Sequence, residues 1–317
     1  MDDKKILHAK GLYVTAPNEL QWLDEVLPSS LGPTDVLLQT RTGSISIGSE
    51  LPLYTASARA VGITHYPRMT GYESVGIVLA CGEQVSQLHV GDRVVAFYGH
   101  CTHRVVPVAQ VLAVPEGISD ALALLTILTC DVAKGVRKVA PKSEEPVLVT
   151  GGGAIGLLTV FILRAYGVAS VDVVEVRPER VALALKLGAR RALLPQDLPA
   201  ASESYVAAFE CSSRNAAFEC MQNNMRPHGR ICVLADGNYE PLLLAPTFHA
   251  KELQVVGSSD GWDYHAHAAW YFQEIQRHPA PLAELFQLEV RHDELIATFA
   301  RLSQGSIRPI KVLVRYR

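Results

Sequence analysis

Long apolar runs, paired cysteines, a leader and a surplus of either charge are all missing or scarce in this chain. The longest apolar window, 146–163, is long enough to raise the question of a membrane span, but three clustered glycines interrupt it. The opening residues MDDKKILHAKG hold no apolar core of the kind a secretory leader needs. Six cysteines, at 81, 101, 130, 211, 220 and 232, show no Cys-x-x-Cys spacing. Scattered cysteines are usually small buried hydrophobes, so neither a disulfide nor a zinc knot is expected. The 29 Lys and Arg against 32 Asp and Glu leave a formal net charge of −3, which gives no basic surface for nucleic acid or an anionic membrane. Internal repeats and low-complexity segments are absent too. The expectation is a cytoplasmic protein acting on a small molecule. At 317 residues, 49% of them hydrophobic, it is large enough for two ordinary cores.

What is present is concentrated between 146 and 180. Val147-Leu148-Val149 is an apolar run suited to a strand buried on both faces. Gly151, Gly153 and Gly156 follow in G-x-G-x-x-G spacing and lead into an apolar helix. The first glycine permits a tight turn, the second lets the backbone approach a pyrophosphate, and the third lets helix and strand pack closely. The free N–H groups and dipole of the new helix favour a diphosphate. A second strand, 170–176, carries Glu175 near its end, nineteen residues after Gly156, where a carboxylate can accept ribose hydroxyls. Together these parts make a Rossmann-type dinucleotide site. Glu175 would repel a 2′-phosphate and so favours NAD. Arg177 and Arg180 dissent, because a guanidinium there could meet such a phosphate and keep NADP possible. Ala154, Ile155 and Ser212 complete the expected cofactor contacts.

Before this site the chain is rich in short strands, at 36–40, 76–80, 92–97 and 104–106, punctuated by glycine and proline. A helical stretch, 120–138, leads into the nucleotide region. Further strands are expected at 205–210, 230–235 and 253–257, and helices at 180–187, ending at Gly188, and 214–225. That alternation implies an α/β fold with a doubly wound parallel sheet, residues 126–261. Two helices, 265–277 and 293–302, and a strand at 310–314 are too little to stand alone. Residues 262–317 are therefore assigned, with 1–125, to a β-rich barrel-like domain.

The order GSISIGSE (43–50), GYESVG (71–76), GDRVVAF (91–97), VLVTGGGAIG (147–156), VEVRPERVALALKLGA (174–189), MRPHGRICVLADG (225–237) and RPIKVLV (308–314) resembles the medium-chain dehydrogenase/reductase superfamily along essentially the whole chain. The resemblance implies a GroES-like catalytic domain, a Rossmann domain, a cleft between them and a homo-oligomer of two or four copies. Zinc members carry Cys-Gly-Thr-Asp, Gly-His-Glu and a third ligand. Here Ile47-Gly48-Ser49-Glu50 and Gly71-Tyr72-Glu73 stand instead, with the third position near Leu125. Isoleucine and leucine cannot ligate Zn²⁺, and tyrosine is not among its ordinary ligands. No metal site is therefore expected. The altered motifs are similar to the bacteriochlorophyllide a dehydrogenase branch, which implies a hydroxyethyl-bearing tetrapyrrole as one candidate substrate.

Without a metal, hydroxyl or phenol groups must hold the substrate oxygen and move its proton. Ser49 occupies the family's hydroxyl position and Tyr72 the histidine's place, so both are candidates, against a turn-forming serine and a cavity-filling ring. Glu50 and Tyr54 join them at lower weight, and Glu73 is read as structural. Glu50 and Glu73 each need an unidentified partner if buried. Thr129 aligns with a residue near the nicotinamide; a helix-interior threonine is the bland alternative. His100-Cys101-Thr102-His103 groups soft ligands, but neighbouring strand positions face opposite ways, which leaves barrel-wall residues as the reading. Trp262, Trp270 and Tyr271 are candidates to line a planar pocket, or core aromatics. The leading function is an NAD-linked, zinc-independent oxidoreductase of an alcohol or ketone. Its rivals are a zinc-free NADPH-dependent quinone or enoyl reductase and a non-catalytic nucleotide-binding protein.

Overall fold

The computed structural model describes residues 8–57, 65–235 and 240–316. Residues 1–7, and Asp236 and Gly237 of the 225–237 motif, lie outside the described residues. Contacts divide the chain into Met1–Leu125 with Leu285–Arg317 (unit 1) and Thr126–Glu284 (unit 2).

Unit 2 holds six parallel strands in the order Arg191–Leu193, Val171–Val174, Val147–Thr150, Tyr205–Glu210, Met225–Val233, Gln254–Gly257. The order reverses direction between Val147–Thr150 and Tyr205–Glu210, and such a switch point opens a crevice at the carboxyl ends of the two strands. All four residues of Val147–Thr150 and all four of Val171–Val174 are buried. This burial on both faces explains why these strands read as apolar runs rather than alternations. Asp172 is the charged exception, and Arg190, Arg191 and Tyr205 all hydrogen-bond its carboxylate.

Unit 1 is β-rich and GroES-like. The long strand Asp35–Ile45 organises it, pairing antiparallel with Ser74–Cys81, with His103–Pro107 through its first half and with Lys311–Arg315 through its last residues. Arg93–Ala96 and Val111–Ala113 extend the sheet on one side and Phe286–Arg291 on the other. A second sheet has the order Glu19–Val26, His8–Ala16, Arg68–Met69. Leu12, Val14, Ile45, Tyr54, Phe299, Val312 and Val314 form one core cluster, built from both ends of the unit's sequence.

Three features depart from expectation. The strands His8–Ala16, Glu19–Val26 and Phe286–Arg291 and the helix Ile47–Thr55 were not anticipated. The helix at 120–138 is two, Asp120–Leu124 and Thr126–Val139. Residues 262–284 belong to unit 2 rather than with 1–125. The helix Tyr264–Arg277 packs on Thr126–Val139, where His267 meets Thr129, and Tyr271 lies edge-on to Phe161. Lys134 and Lys138 also tie down the preceding loop through the carbonyls of Ser259 and Gly257.

Candidate active site

In unit 2 the glycine turn is built by steric demand. Gly151 takes φ +90°, a conformation side chains resist. A β-carbon on Gly156 would stand 1.7 Å from the carbonyl oxygen of Gly151, an impossible contact. Gly153 faces open space, with nothing but an Arg180 guanidinium nitrogen at 3.9 Å from where its β-carbon would be. Gly153 is also the N-cap of the helix Ala154–Ala165 and offers no side chain to cap it. The first N–H groups of that helix thus meet no capping side chain at a half-exposed turn, as a phosphate site requires. The cradle fits a dinucleotide diphosphate.

Glu175 follows the strand Val171–Val174, is buried, and accepts the N–H groups of Gly152 at 2.5 Å and Arg177 at 2.8 Å. The middle glycine of the triplet therefore has a task of its own, since a β-carbon there would approach Glu175 Oε2 to 2.9 Å. Arg177 and Arg180 are half-buried beside it. Burial, and after it the charge of Arg177, lower the Arg180 pKa. Ser212 lies against Gly151 across the switch point and gives both its N–H and hydroxyl to Glu210. Glu210 is a fully buried carboxylate, its pKa raised by burial, that sequence reasoning did not single out.

Thr129 takes the bland alternative. Its hydroxyl is fully buried, donates to the carbonyl of Thr126 at 3.0 Å and meets His267 Nε2 at 2.9 Å. The expected cofactor contact is corrected to a helix-packing role. Tyr271 is likewise a core aromatic and Trp270 a partly buried one, grouped with His267, Tyr166 and Phe161, whereas Trp262 is half-exposed under Lys134.

In unit 1 the motif 43–50 runs from strand into the helix Ile47–Thr55, with Ser46 at its N-cap. Tyr72 donates its phenol hydrogen to Ser46 Oγ at 2.7 Å, and Ser49 stands within the same hydrogen-bonding group. Burial, then the charge of Glu73, holds the phenol pKa well above its ordinary value. Ser49 and Tyr72 are both half-buried, and Gly48 between the serines is exposed. The structure thus gathers three hydroxyls at a partly open surface. Ser46, the third, was missed although it lies inside the quoted motif.

The remaining two expected catalytic residues are placed elsewhere. Glu50 is buried and fully engaged by the N–H of Ser46 (2.7 Å), the hydroxyl of Thr70 (2.8 Å) and His100 Nε2 (3.0 Å). It therefore braces the helix start rather than facing a substrate. Tyr54 packs in the core against Phe299, ring centroids 5.6 Å apart, because its helix turns that face inward. Glu73 finds its partner in Lys311, whose ammonium bonds both carboxylate oxygens at 3.0 and 2.9 Å with neither side chain exposed. A lysine within the apolar strand of RPIKVLV was the available signal. Of the 100–103 run, Cys101 is a buried wall residue, and His100 belongs to the Glu50 group.

Two family models match the chain: the alcohol dehydrogenase GroES-like domain over residues 32–116 and the zinc-binding dehydrogenase model over 154–271. The chain belongs to the medium-chain dehydrogenase/reductase superfamily. An L-threonine 3-dehydrogenase of Chelativorans sp. (strain BNC1) is 26% identical over 272 residues, 71% of this chain and 76% of the relative. A putative zinc-binding dehydrogenase from Sinorhizobium meliloti 1021, solved with NADP, superposes at TM-score 0.81 with 19% identity over 98% of this chain and 100% of the other. A short chain alcohol dehydrogenase from Escherichia coli CFT073, solved with NADH, gives TM-score 0.80 with 20% identity over 98% and 99% of the two chains. The fold is that of these dehydrogenases, while Ile47, Tyr72 and the neighbourhood of Leu125 stand where the motif resemblance puts the ligands of zinc members. Among the described residues, no group of three or more His, Cys, Asp or Glu side chains is arranged to hold a metal. No helix there is long and apolar enough to cross a membrane.

Proposed function

We propose that this protein is a zinc-independent, NAD(H)-linked oxidoreductase that interconverts an alcohol and a ketone. The observation that carries the reading is the hydroxyl group of Ser46, Ser49 and Tyr72, at and beside positions where zinc relatives keep metal ligands. The zinc in the matched family's name does not fit this chain, because an isoleucine, a phenol and a leucine are no donor set for it. The dinucleotide does fit. Gly151, Gly153 and Gly156 and the N–H groups after them would hold its diphosphate, with Glu175 by the ribose. When bound, a nicotinamide exchanges a hydride with the substrate carbon.

The chain's own residues handle the oxygen. A phenol with a pKa pushed well above its usual value keeps its proton near neutrality, which makes Tyr72 a lasting hydrogen-bond donor and a poor base. That character suits donation of a hydrogen bond to the substrate oxygen. Ser46 Oγ accepts the Tyr72 hydroxyl hydrogen at rest and would take part in its replacement, and Ser49 would orient the substrate oxygen. A hydroxyethyl-bearing tetrapyrrole or its acetyl counterpart stands first among substrates, supported by the resemblance of the altered motifs alone.

A screen of such tetrapyrroles against simple secondary alcohols, ketones and enones with NADH tests this reading. Turnover should persist in chelator, and the purified protein should hold no stoichiometric zinc; zinc-dependent turnover would sink the proposal. Tyr72→Phe should cut kcat on the order of a hundredfold while leaving NADH affinity unchanged. A second reading, use of NADP, is favoured by Arg177 and Arg180, both half-buried beside the glycine turn. Comparing NADH with NADPH in Arg177→Ala and Glu175→Ala decides between them. Loss of NADPH binding in the first favours NADP, and loss of discrimination in the second favours NAD. A homo-oligomer is proposed as well, and light scattering measures it.

A further inference from the structure

Two separate segments carry the hydroxyls of unit 1, and a single imidazole touches both. His100 is 1% exposed. Its Nε2 lies 3.0 Å from Glu50 Oε2, and Glu50 Oε1 takes the N–H of Ser46, the N-cap of the helix bearing Ser49. On its other side His100 rests on the turn that leads into Tyr72. Its backbone N–H donates to the carbonyl of Thr70 at 2.8 Å. Gly71 takes φ +88°, and a β-carbon there would stand 2.8 Å from both the ring Cδ2 and the backbone nitrogen of His100. The approach is closer than any side chain at 71 would permit.

The ring's orientation is set as well. Its Nδ1 has no hydrogen-bond partner and faces Gly43, whose β-carbon, if present, would lie 3.5 Å away. A proton on Nδ1 would be left unbonded in a buried place, so it belongs on Nε2, where Glu50 accepts it. Phe299, at 6.4 Å between centroids and nearly perpendicular, packs beside the ring. From imidazole to Tyr72 the steps are 3.0 Å to Glu50, 2.7 Å to the Ser46 N–H and 2.7 Å from the Ser46 hydroxyl to the phenol.

We infer that His100 is a positioning residue that clamps the start of the helix Ile47–Thr55 and the Thr70–Gly71 turn together, holding Ser46, Ser49 and Tyr72 in one arrangement. The clamp acts through Glu50 and the backbone, and His100 itself touches none of the three hydroxyls. The inference rests on the reading of those hydroxyls as the oxygen-handling groups. Its test therefore uses a probe of geometry alongside turnover.

The full chain carrying 3-fluorotyrosine at position 72 reports the phenol's surroundings by ¹⁹F NMR. His100→Gln keeps an N–H within reach of Glu50 and should retain a single line at the wild-type position. His100→Leu fills similar space without a donor and should shift or split the line. It should also lower kcat on the order of a hundredfold, with KM within about twofold and NADH affinity unchanged. Should His100→Leu not fold, His100→Asn replaces it, since its shorter amide stops short of Glu50. A wild-type line in whichever of these two variants folds overturns the clamp. A displaced line with undiminished turnover keeps the clamp and instead removes Tyr72 from the reaction.

Discussion

The two units reach their sites by opposite means. In unit 2 the cradle is a matter of backbone: a left-handed Gly151, a Gly156 that tolerates no side chain, and uncapped N–H groups. In unit 1 the hydroxyls are held by buried charge, with Glu50 beneath one segment and the Glu73–Lys311 pair beneath the other. Backbone geometry demands glycine at fixed spacing and is robust to chemistry nearby. Buried charge demands partners, and those partners are scattered along the chain. The lesson is that a glycine cradle depends on spacing within one short stretch, whereas a hydroxyl cluster depends on charge partners far apart in the sequence.

Removing a charge partner should give the largest effect. Lys311→Met leaves the Glu73 carboxylate buried and unpaired, which should cost about 3–5 kcal/mol in urea unfolding near neutral pH. Burial already raises the Glu73 pKa despite Lys311. A carboxyl whose folded pKa exceeds its unfolded value favours the native state at low pH and loses that contribution as pH rises. The Lys311→Met deficit should therefore shrink on acidification toward and below the ordinary carboxyl range, and Glu73→Leu added to it should recover most of the loss. A pH-independent deficit would mean that unit 1 does not depend on this charge.

Gly156→Ala is the matching strike at backbone. With a would-be contact of 1.7 Å to the Gly151 oxygen, the turn must open. A destabilisation of about 3 kcal/mol and abolished NADH fluorescence enhancement are expected. Retained NADH binding would show the cradle to be less rigid than its geometry implies.

His267 sharpens the contrast from the other side, being a buried titratable group within unit 2. Burial, then Arg137, pushes its pKa down to about 3. Its folded value lies below the unfolded one, so stability is complete above pH 6.5 and is lost as pH falls toward 3. About 2 kcal/mol should go between pH 7 and pH 5. His267→Gln, which keeps an N–H for Thr129, should flatten that slope. The smallest effect is expected at the half-exposed Lys186–Glu284 pair, where Lys186→Ala should shift unfolding by less than about 0.5 kcal/mol.

Sequence patterning revealed unit 2 far better than unit 1, and the reason is physical. Strands buried on both faces announce themselves as apolar runs, and Tyr205–Glu210 has the bounds expected of it. The strand Glu19–Val26 breaks its alternation at Trp22-Leu23 and is only partly buried, so no clean period marks it, and Phe286–Arg291 alternates strictly but over only six residues. The helix Ile47–Thr55 contains Pro52, which argues against helix locally, and tertiary packing prevails. Of the hydroxyl group in unit 1, Ser49 and Tyr72 stand in quoted motifs and were singled out from them. Ser46, Thr70 and His100 were not, because their meaning lies in who faces whom across 20 to 50 residues. Tyr54 was misplaced since a polar tip on an aromatic ring says nothing about which side of a helix is inward.

The Glu73–Lys311 bond closes a separation of 238 residues. On a ribosome moving at about 5–20 residues per second, the ammonium emerges on the order of 10–50 s after the carboxylate it must neutralise. Throughout that interval the early strands of unit 1 cannot bury Glu73 as an anion, and the sheet lacks the terminal strand beside Asp35–Ile45. All of unit 2 is synthesised in the meantime. The glycine cradle of unit 2 is therefore ready to form first, and the segment that carries the Ser46, Ser49 and Tyr72 hydroxyls is sealed by the late-made strand Lys311–Arg315.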